Sequence, residues 1–503
     1  MPAQLPDALL VHAADSVAVA LRPLVAGQAV RVGGQQLVLR QHIAQGHKLA
    51  VRAHQEGDRV LKYGLPIGRA TASIAPGDHV HSHNLVTALA GELAYGAHQA
   101  SEPAHTAVSG GPLWQGYRRA DGRAATRNEI WILPTVGCVG LTAEQVARAA
   151  QARHAQAIAD GRIDGVFAFA HPHGCSQLGD DLGGTRALLA GLAASPNAAG
   201  VLLIGLGCES NQLDALVAAI PVAARAKVRT LSSQGVGDEM AEAATLIDAL
   251  VAEAVTARRE PLPLSALVVG LKCGGSDGFS GLTANPLLGR FSETLAAHGG
   301  TPVLTEIPEI FGAEQALLGR AIDAATFDAA AALVNRFKRY YLDQGLAVSE
   351  NSSPGNIAGG ITTLEEKSAG AVQKAGTAPL TSVLDYGEQA VVPGLALLES
   401  PGNDAVSSTA LAAAGAMLVL FTTGRGTPLG FPVPTVKVAS NRTLATTKPH
   451  WIDFDASCAL DEGQQAADAA FMDALVAFAS GTRTAAENAG QRAIAIWKRG
   501  VTL

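Results

Sequence analysis

The chain has 503 residues, 48% hydrophobic and 16% charged, enough apolar material for more than one buried core and too much for a disordered tail. Its 37 Lys and Arg against 44 Asp and Glu leave a formal charge of −7, the wrong sign for holding a polyanion by counterion release. Aromatic residues make up only 4%, so base stacking is a poor basis for function as well, and no apolar run reaches the roughly 18 residues a membrane helix needs.

Residues 11 to about 90 read as short strands between turn signals: VAVALRPL, QAVRVGG, QLVLRQHI, KLAVRAH, DRVLKYG and IGRATASI. Their β-branched content predicts a small all-β module over 1–97. The stretch GAHQASEPAHTAVSGGPL lacks apolar periodicity and reads as a linker over 98–115. Beyond it strands alternate with helices. EIWILPTV precedes LTAEQVARAAQARHAQAI, VFAFA precedes DDLGGTRALLAGLA, VLLIGLG precedes NQLDALVAAI, and SALVVGL and MLVLFTT open further units. Short apolar runs spaced by helical stretches predict buried parallel strands in α/β layers. A break at 258–264, RREPLPL, divides the body into α/β domains at 116–260 and 261–503. The opening segment has no basic n-region, so a cytoplasmic location is expected.

Five cysteines, an odd number spread far apart, do not make a disulfide framework and read as reduced thiols. Four of them close an apolar run in the same way: ILPTVGC at Cys138, FAFAHPHGC at Cys175, LLIGLGC at Cys208 and LVVGLKC at Cys273. Open α/β sheets bind ligands beyond the carboxyl ends of their strands, so the four thiols are expected to face one crevice. The alternative is four buried thiols that tolerate tight glycine turns. Polar residues gather at the same turns: His171, His173 and Gln177 around Cys175, Glu209 and Asn211 after Cys208, and Lys272, Ser276 and Asp277 around Cys273. Thiolate, imidazole and carboxylate together suit a transition metal such as iron or zinc. The spacing is not that of a zinc finger, and a single ion and an iron–sulfur cluster with one open iron remain alternatives.

The all-β module carries GDHVHSHN, whose His79, His81 and His83 fall on one face if the segment is extended; such a row is a metal or anion site, or a solvated face. His47, with Lys48 beside it in QGHKLAV, is a further candidate. Glycine-rich loops at 274–286, 353–368 and 422–434 offer backbone N–H groups to carboxylates or phosphates, and Arg425 suits a bidentate carboxylate contact. In the last loop Pro428 stands where a dinucleotide-binding helix would begin, which disfavours NAD.

These motifs carry a family resemblance. GHKLA, KYGLPIG, GDHVHSHN, GYRRADGRAATRN, ILPTVGC, FAHPHGCSQLGDD, GLGCESNQ, LKCGGSDGFSGLTANP, ITTLEEKS, LFTTGRGTP and AIWKRGVTL run in order over almost the whole chain, and the chain resembles the altronate/galactarate dehydratase family, with GDHVHSHN and HPHGC similar to its altronate branch. NSSPGN at 351–356 departs from the pattern, with Ser352 where Pro is expected. The resemblance implies an SAF-like N-terminal β domain followed by two α/β domains with mainly parallel sheets. It also implies a hydro-lyase dependent on Fe2+ or Mn2+, converting D-altronate to 2-dehydro-3-deoxy-D-gluconate and water in hexuronate and galacturonate breakdown. Galactarate, a sulfonated hydroxy acid and non-catalytic sugar-acid binding are the alternatives. Strand-end clustering and the resemblance together put metal binding on Cys138, His171, Cys175, Cys208 and Glu209, proton transfer on His47, Lys48, His81 or His83, and substrate orientation on Ser276, Asp277, Glu366 and Arg425. A homo-oligomer, a dimer, is expected, with the N-terminal module closing over the crevice or reaching it from a neighbouring subunit.

Overall fold

The computed structural model describes residues 6–96, 108, 110–350 and 353–503. Residues 98–107 and 109 of the expected linker lie outside the described residues, as do Asn351 and Ser352 of the NSSPGN departure.

The first unit is all β. Along Ala29–Val32 the two valines are buried and Ala29 and Arg31, which alternate with them, are exposed, the period-two pattern of a sheet with one inward face. A four-stranded antiparallel sheet runs in the order Ala8–Leu9, Val17–Ala20, Lys48–Ala50 and His79–Val80, beside a three-stranded sheet and a hairpin. Lys48 pairs with Val80 and Leu49 with His79, which sets GHKLA against GDHVHSHN.

The second unit is entered and left through one antiparallel pair, Leu113–Arg118 against Arg259–Pro263. The predicted break at 258–264 is therefore largely a strand; its two prolines are tolerated because it lies at the edge of its sheet. Inside, four parallel strands run in the order Gly165–Ala168, Glu129–Pro134, Ala198–Gly205, Val228–Ser232. Glu129–Pro134 is buried at every position, as expected for a parallel strand covered on both faces. The helices Gly140–Arg153 and Glu239–Ala254 pack on one face over Ile130, Ile132, Leu202 and Ile204.

The third unit is built on seven parallel strands in the order Leu380–Leu384, Leu395–Leu398, Thr301–Leu304, Val268–Cys273, Leu418–Thr423, Thr435–Ala439, Phe454–Asp455. Its core is continuous with the other face of the second unit, where Trp131, Leu133 and Leu203 join Val269, Leu271 and Leu420 in one buried cluster. The expected fold class, an all-β module followed by α/β units with parallel sheets, is the observed one. Among the described residues no helix is long and apolar enough to cross a membrane.

Candidate active site and thiol rim

Strand order locates both sites. In the seven-stranded sheet the chain runs outward on one side of Val268–Cys273 and then returns to its other side with Leu418–Thr423, so the topological switch lies between these two strands. In the four-stranded sheet it lies between Glu129–Pro134 and Ala198–Gly205. Ligands of open α/β sheets bind at such points, and the loops beyond them carry the motifs singled out from sequence.

At the seven-stranded switch the first unit roofs the strand-end loops. Gly278 lies so close to the carbonyl of Gly46 that a Cβ there would collide with it, and its N–H donates to the Gly359 carbonyl at 2.7 Å. Fully buried Lys48 spends all three ammonium protons on this seam, donating to Gly360 O at 2.7 Å, Thr362 Oγ1 at 2.8 Å and Glu366 Oε2 at 2.8 Å. Lys62, equally buried, takes Glu366 Oε1 at 2.9 Å. Burial works to raise the Glu366 carboxyl, but the charges of Lys48 and Lys62 outweigh it and hold the group at about 2. Lys48 is lowered to about 8, mainly by burial, against the pull of Glu366. Lys48 and Glu366 are thus a clamp between the units and face protein groups on every side.

Above the clamp stand four imidazoles. His47 Nδ1 lies 3.1 Å from His79 Nε2, the His47 and His81 rings stack at 4.8 Å, and His79 lies 5.3 Å from His81 and 5.4 Å from His83 between ring centres. His47 Nε2 reaches the Ala358 carbonyl at 3.3 Å and His81 Nε2 the Ile357 carbonyl at 3.0 Å. Burial lowers His47 and His81, and burial with the positive potential of the other three rings and Lys48 brings His79 to about 3, so all three are neutral at pH 7. The expected extended row ends at Val80, where the strand stops; a turn from His81 to Asn84 folds the rings together instead. His79, outside the expected proton-transfer set, is the ring the cluster is built around. Its signal was the i, i+2, i+4 spacing; its partner His47 comes from the paired strand.

Asp277 ties the loops of the switch together. Its Oδ1 accepts from Phe279 N, Ser280 N, Ser280 Oγ and Ser440 Oγ at 2.8–3.1 Å, and Oδ2 from Asn441 Nδ2 at 2.9 Å. Ser276 is buried and its carbonyl accepts from Asn356 Nδ2 at 2.8 Å. Arg425 is exposed at the lip, its backbone N–H on Gly275 O at 3.0 Å, and its guanidinium has no partner among the described residues.

At the four-stranded switch the loops interlock through backbone. Gly174, at φ 102°, packs against the Thr135 carbonyl where a Cβ would not fit. Gly137 N donates to His173 O and Asn211 N to Gly174 O, both at 2.9 Å. His171 donates from Nε2 to Pro134 O at 2.8 Å and accepts the His173 N–H at Nδ1 at 3.2 Å. Glu209 accepts from Thr135 Oγ1 at 2.5 Å, Gly207 N at 2.6 Å and Leu206 N at 3.1 Å. His171 and Glu209 therefore hold the loops, while Cys138, Cys175 and Cys208 project from them as exposed free thiols. Hydrogen bonds from Ser210 lower the Cys175 thiol. The chain terminus closes the rim, with Arg499 N and Gly500 N on the Asp181 carboxylate at 2.7 and 2.9 Å.

The four strand-end thiols do not share a crevice. Cys273 ends a strand of the other sheet and is buried. With Glu306 and Glu309 it forms a group of donor atoms within 4.8 Å of one another, the arrangement a metal ion needs. Three ammoniums already occupy it, however: Lys272 and Lys374 on Glu306 and Lys367 on Glu309. Burial and the neighbouring carboxylates push the Cys273 thiol up, so it stays protonated and donates to Glu309 at 3.0 Å. A divalent ion would have to displace these cations, so this set does not fit one, whereas the exposed thiols carry no ammonium partner and the neutral imidazoles of the roof face one another.

Two sets of chemistry-bearing loops at the switch points of two parallel sheets, one roofed by a β module, define a multidomain α/β enzyme. Family models described as "Altronate/galactarate dehydratase SAF domain", "D-galactarate dehydratase/Altronate hydrolase, second domain" and "D-galactarate/Altronate dehydratase, C-terminal" match residues 6–88, 116–255 and 264–502. The chain is 49% identical to altronate dehydratase of Escherichia coli K12 and 45% to that of Bacillus subtilis 168, over 98% of this chain and 99% of each relative. It is 33% identical to Escherichia coli galactarate dehydratase (L-threo-forming) over 88% of this chain and 86% of that one. The chain belongs to the altronate/galactarate dehydratase family and is a carbon–oxygen hydro-lyase.

Proposed function

We propose that the enzyme dehydrates D-altronate to 2-dehydro-3-deoxy-D-gluconate, with a divalent metal, Fe2+ or Mn2+, and the chemistry at the roofed switch point. The substrate is taken from the relatives. The chemistry rests on one observation: an imidazole cluster and an unpaired Arg425 stand over the strand-end loops of the seven-stranded sheet.

Dehydration removes a proton beside a carboxylate and expels the neighbouring hydroxyl. Arg425 pairs with the sugar-acid carboxylate at the lip, and the glycine loops at 274–281 and 424–426 let backbone N–H groups approach it. An imidazole of the cluster takes the α-proton and returns one to the departing hydroxyl. The Lys48–Glu366 clamp holds the roof so that these groups keep their spacing. A bound divalent ion supplies Lewis acidity to the carboxylate and hydroxyl oxygens. The thiols of Cys138, Cys175 and Cys208 are soft donors, but the three do not lie within 4.8 Å of one another, so they suit the wider span of an iron–sulfur cluster rather than a single ion. Exposed free thiols suit a reducing compartment, and we place the enzyme in the cytoplasm as a homodimer in hexuronate breakdown.

The test is a panel of aldonic and aldaric acids on iron-reconstituted protein kept anaerobic, scored for 2-keto acid product. Altronate is expected to be consumed first. Preference for galactarate or another hydroxy acid overturns the substrate, and absence of any turnover overturns the reading.

A further inference from the structure

The geometry points to a mononuclear metal site on the roof itself, gripped by His47 Nδ1 and His79 Nε2 and separate from the thiol rim. It rests on the metal-dependent reading above and gives that ion an address.

The separation of the two nitrogens is the first argument. Metal–imidazole bonds of about 2.0–2.1 Å, at angles between a right angle and the tetrahedral one, set two ligand nitrogens roughly 2.8–3.4 Å apart; His47 Nδ1 and His79 Nε2 are 3.1 Å apart. The outer contacts are the second. A ligating histidine almost always donates its other ring N–H to a carbonyl or carboxylate, which fixes its tautomer. His47 Nε2 sits on Ala358 O at 3.3 Å, and its stacked neighbour His81 sits on Ile357 O at 3.0 Å, two successive carbonyls of one chain segment. That pattern leaves the His47 lone pair on Nδ1, facing His79.

In the ion-free protein the His79 Nε2–H fills the gap by donating to His47 Nδ1. Ion entry moves that proton to His79 Nδ1, a tautomer change with no net proton release, and both lone pairs then face the ion. Among the described residues only the Cys273 group brings three donors within 4.8 Å of one another, so this grip is two-pronged. The remaining positions are open to water and to the carboxylate and hydroxyl oxygens of a sugar acid, as a Lewis-acid site requires. His81 backs His47 at 4.8 Å and exposed His83 flanks His79 at 5.4 Å, which leaves His83 free for proton transfer.

The test uses Co2+ as a spectroscopic probe on the full chain, stripped of metal and without substrate. In a C138S/C175S/C208S background, Co2+ should bind and give a ligand-field spectrum without thiolate charge-transfer bands. His79→Gln and His47→Gln in that background should each weaken binding by at least roughly tenfold, the loss that even an outer-shell change produces. Unchanged thermal midpoints would show that both variants fold. Co2+ binding that survives both variants, or that disappears with the three thiols alone, overturns the roof site while leaving metal dependence standing. Should the unsubstituted chain turn over altronate fully after chelation, the metal-dependent reading itself fails.

Discussion

The two switch points occupy the same topological address and are built in opposite ways. At the four-stranded sheet the loops are held by backbone hydrogen bonds, by His171 and by Glu209, and three thiols face solvent. At the seven-stranded sheet the loops lie under a β module, with Lys48, Lys62 and Glu366 fully buried. A strand end therefore fixes where chemistry gathers, and what docks above it decides whether the groups are exposed ligands or buried charges. The rim is tuned by local loop geometry, and the seam depends on a contact between units more than 300 residues apart in sequence.

The largest break in this comparison should come from Glu366→Gln. It leaves Lys48 and Lys62 buried around a neutral amide, and breaking a buried pair from one side costs about 3–5 kcal/mol. A large fall in thermal midpoint and protease cleavage of the β module from the body are expected. The three cysteine-to-serine changes at the exposed rim should stay within about 0.5 kcal/mol. Equal stability of the two variants would break the contrast. The pH dependence has a definite sign. The Glu366 carboxyl is held at about 2 in the folded protein, below an unfolded value of about 4.3. Its contribution is thus present at neutral pH and lost as pH falls from about 5 toward 2. Acid unfolding of wild type should steepen over that window, and Glu366→Gln should remove that component.

At the rim the analogous change is Glu209→Gln. The carboxylate accepts two backbone N–H groups and the Thr135 hydroxyl, which hold it low against burial. An amide offers one oxygen where the carboxylate offered two. Hydrogen bonds to a charged group contribute about 1.5–3 kcal/mol, so a loss at or below that range is expected from denaturant unfolding. The sharper readout is local: hydrogen exchange at Leu206 and Gly207 should quicken, with the β module unaffected. Loosening of the module instead would mean that the two sites are one mechanical unit.

Much of this division was legible in sequence and part was not. Apolar runs ending in glycine marked the buried strands Glu129–Pro134, Ala198–Gly205, Val268–Cys273 and Leu418–Thr423 because full burial leaves an unbroken hydrophobic word. Val228–Ser232 and Leu380–Leu384 were missed because edge strands are only partly buried and read as mixed segments. The buried interior strands Thr301–Leu304, Leu395–Leu398 and Thr435–Ala439 were missed as well, because four or five residues make too short a run to stand out. The assignment of all four strand-end thiols to one crevice failed because LLIGLGC and LVVGLKC look alike locally while belonging to different sheets. The engagement of His171 and Glu209 by their own loops, and of Glu366 by two lysines, depends on partners that local patterning does not reveal. Resemblance named these residues as important; only the fold separates those that hold a loop from those that face a ligand.

Arg425 gives the smallest effect on stability and the most specific one on function. Its guanidinium is exposed and unpaired among the described residues, while the loop beneath it is fixed by its backbone N–H on Gly275 O at 3.0 Å, a contact that alanine keeps. Arg425→Ala should therefore change the unfolding free energy by less than about 0.5 kcal/mol. If the side chain receives the sugar-acid carboxylate, its loss removes a charge-assisted bidentate contact worth about 1.5–3 kcal/mol, which corresponds to a fall of roughly ten- to a hundredfold in kcat/KM. Because the carboxylate carries its charge before and after proton removal, most of that fall should appear in KM. Arg425→Lys should recover only part of it, since an ammonium keeps the charge and loses the fork. An unchanged KM would move the carboxylate away from this lip and toward the rim, reversing the roles assigned to the two switch points.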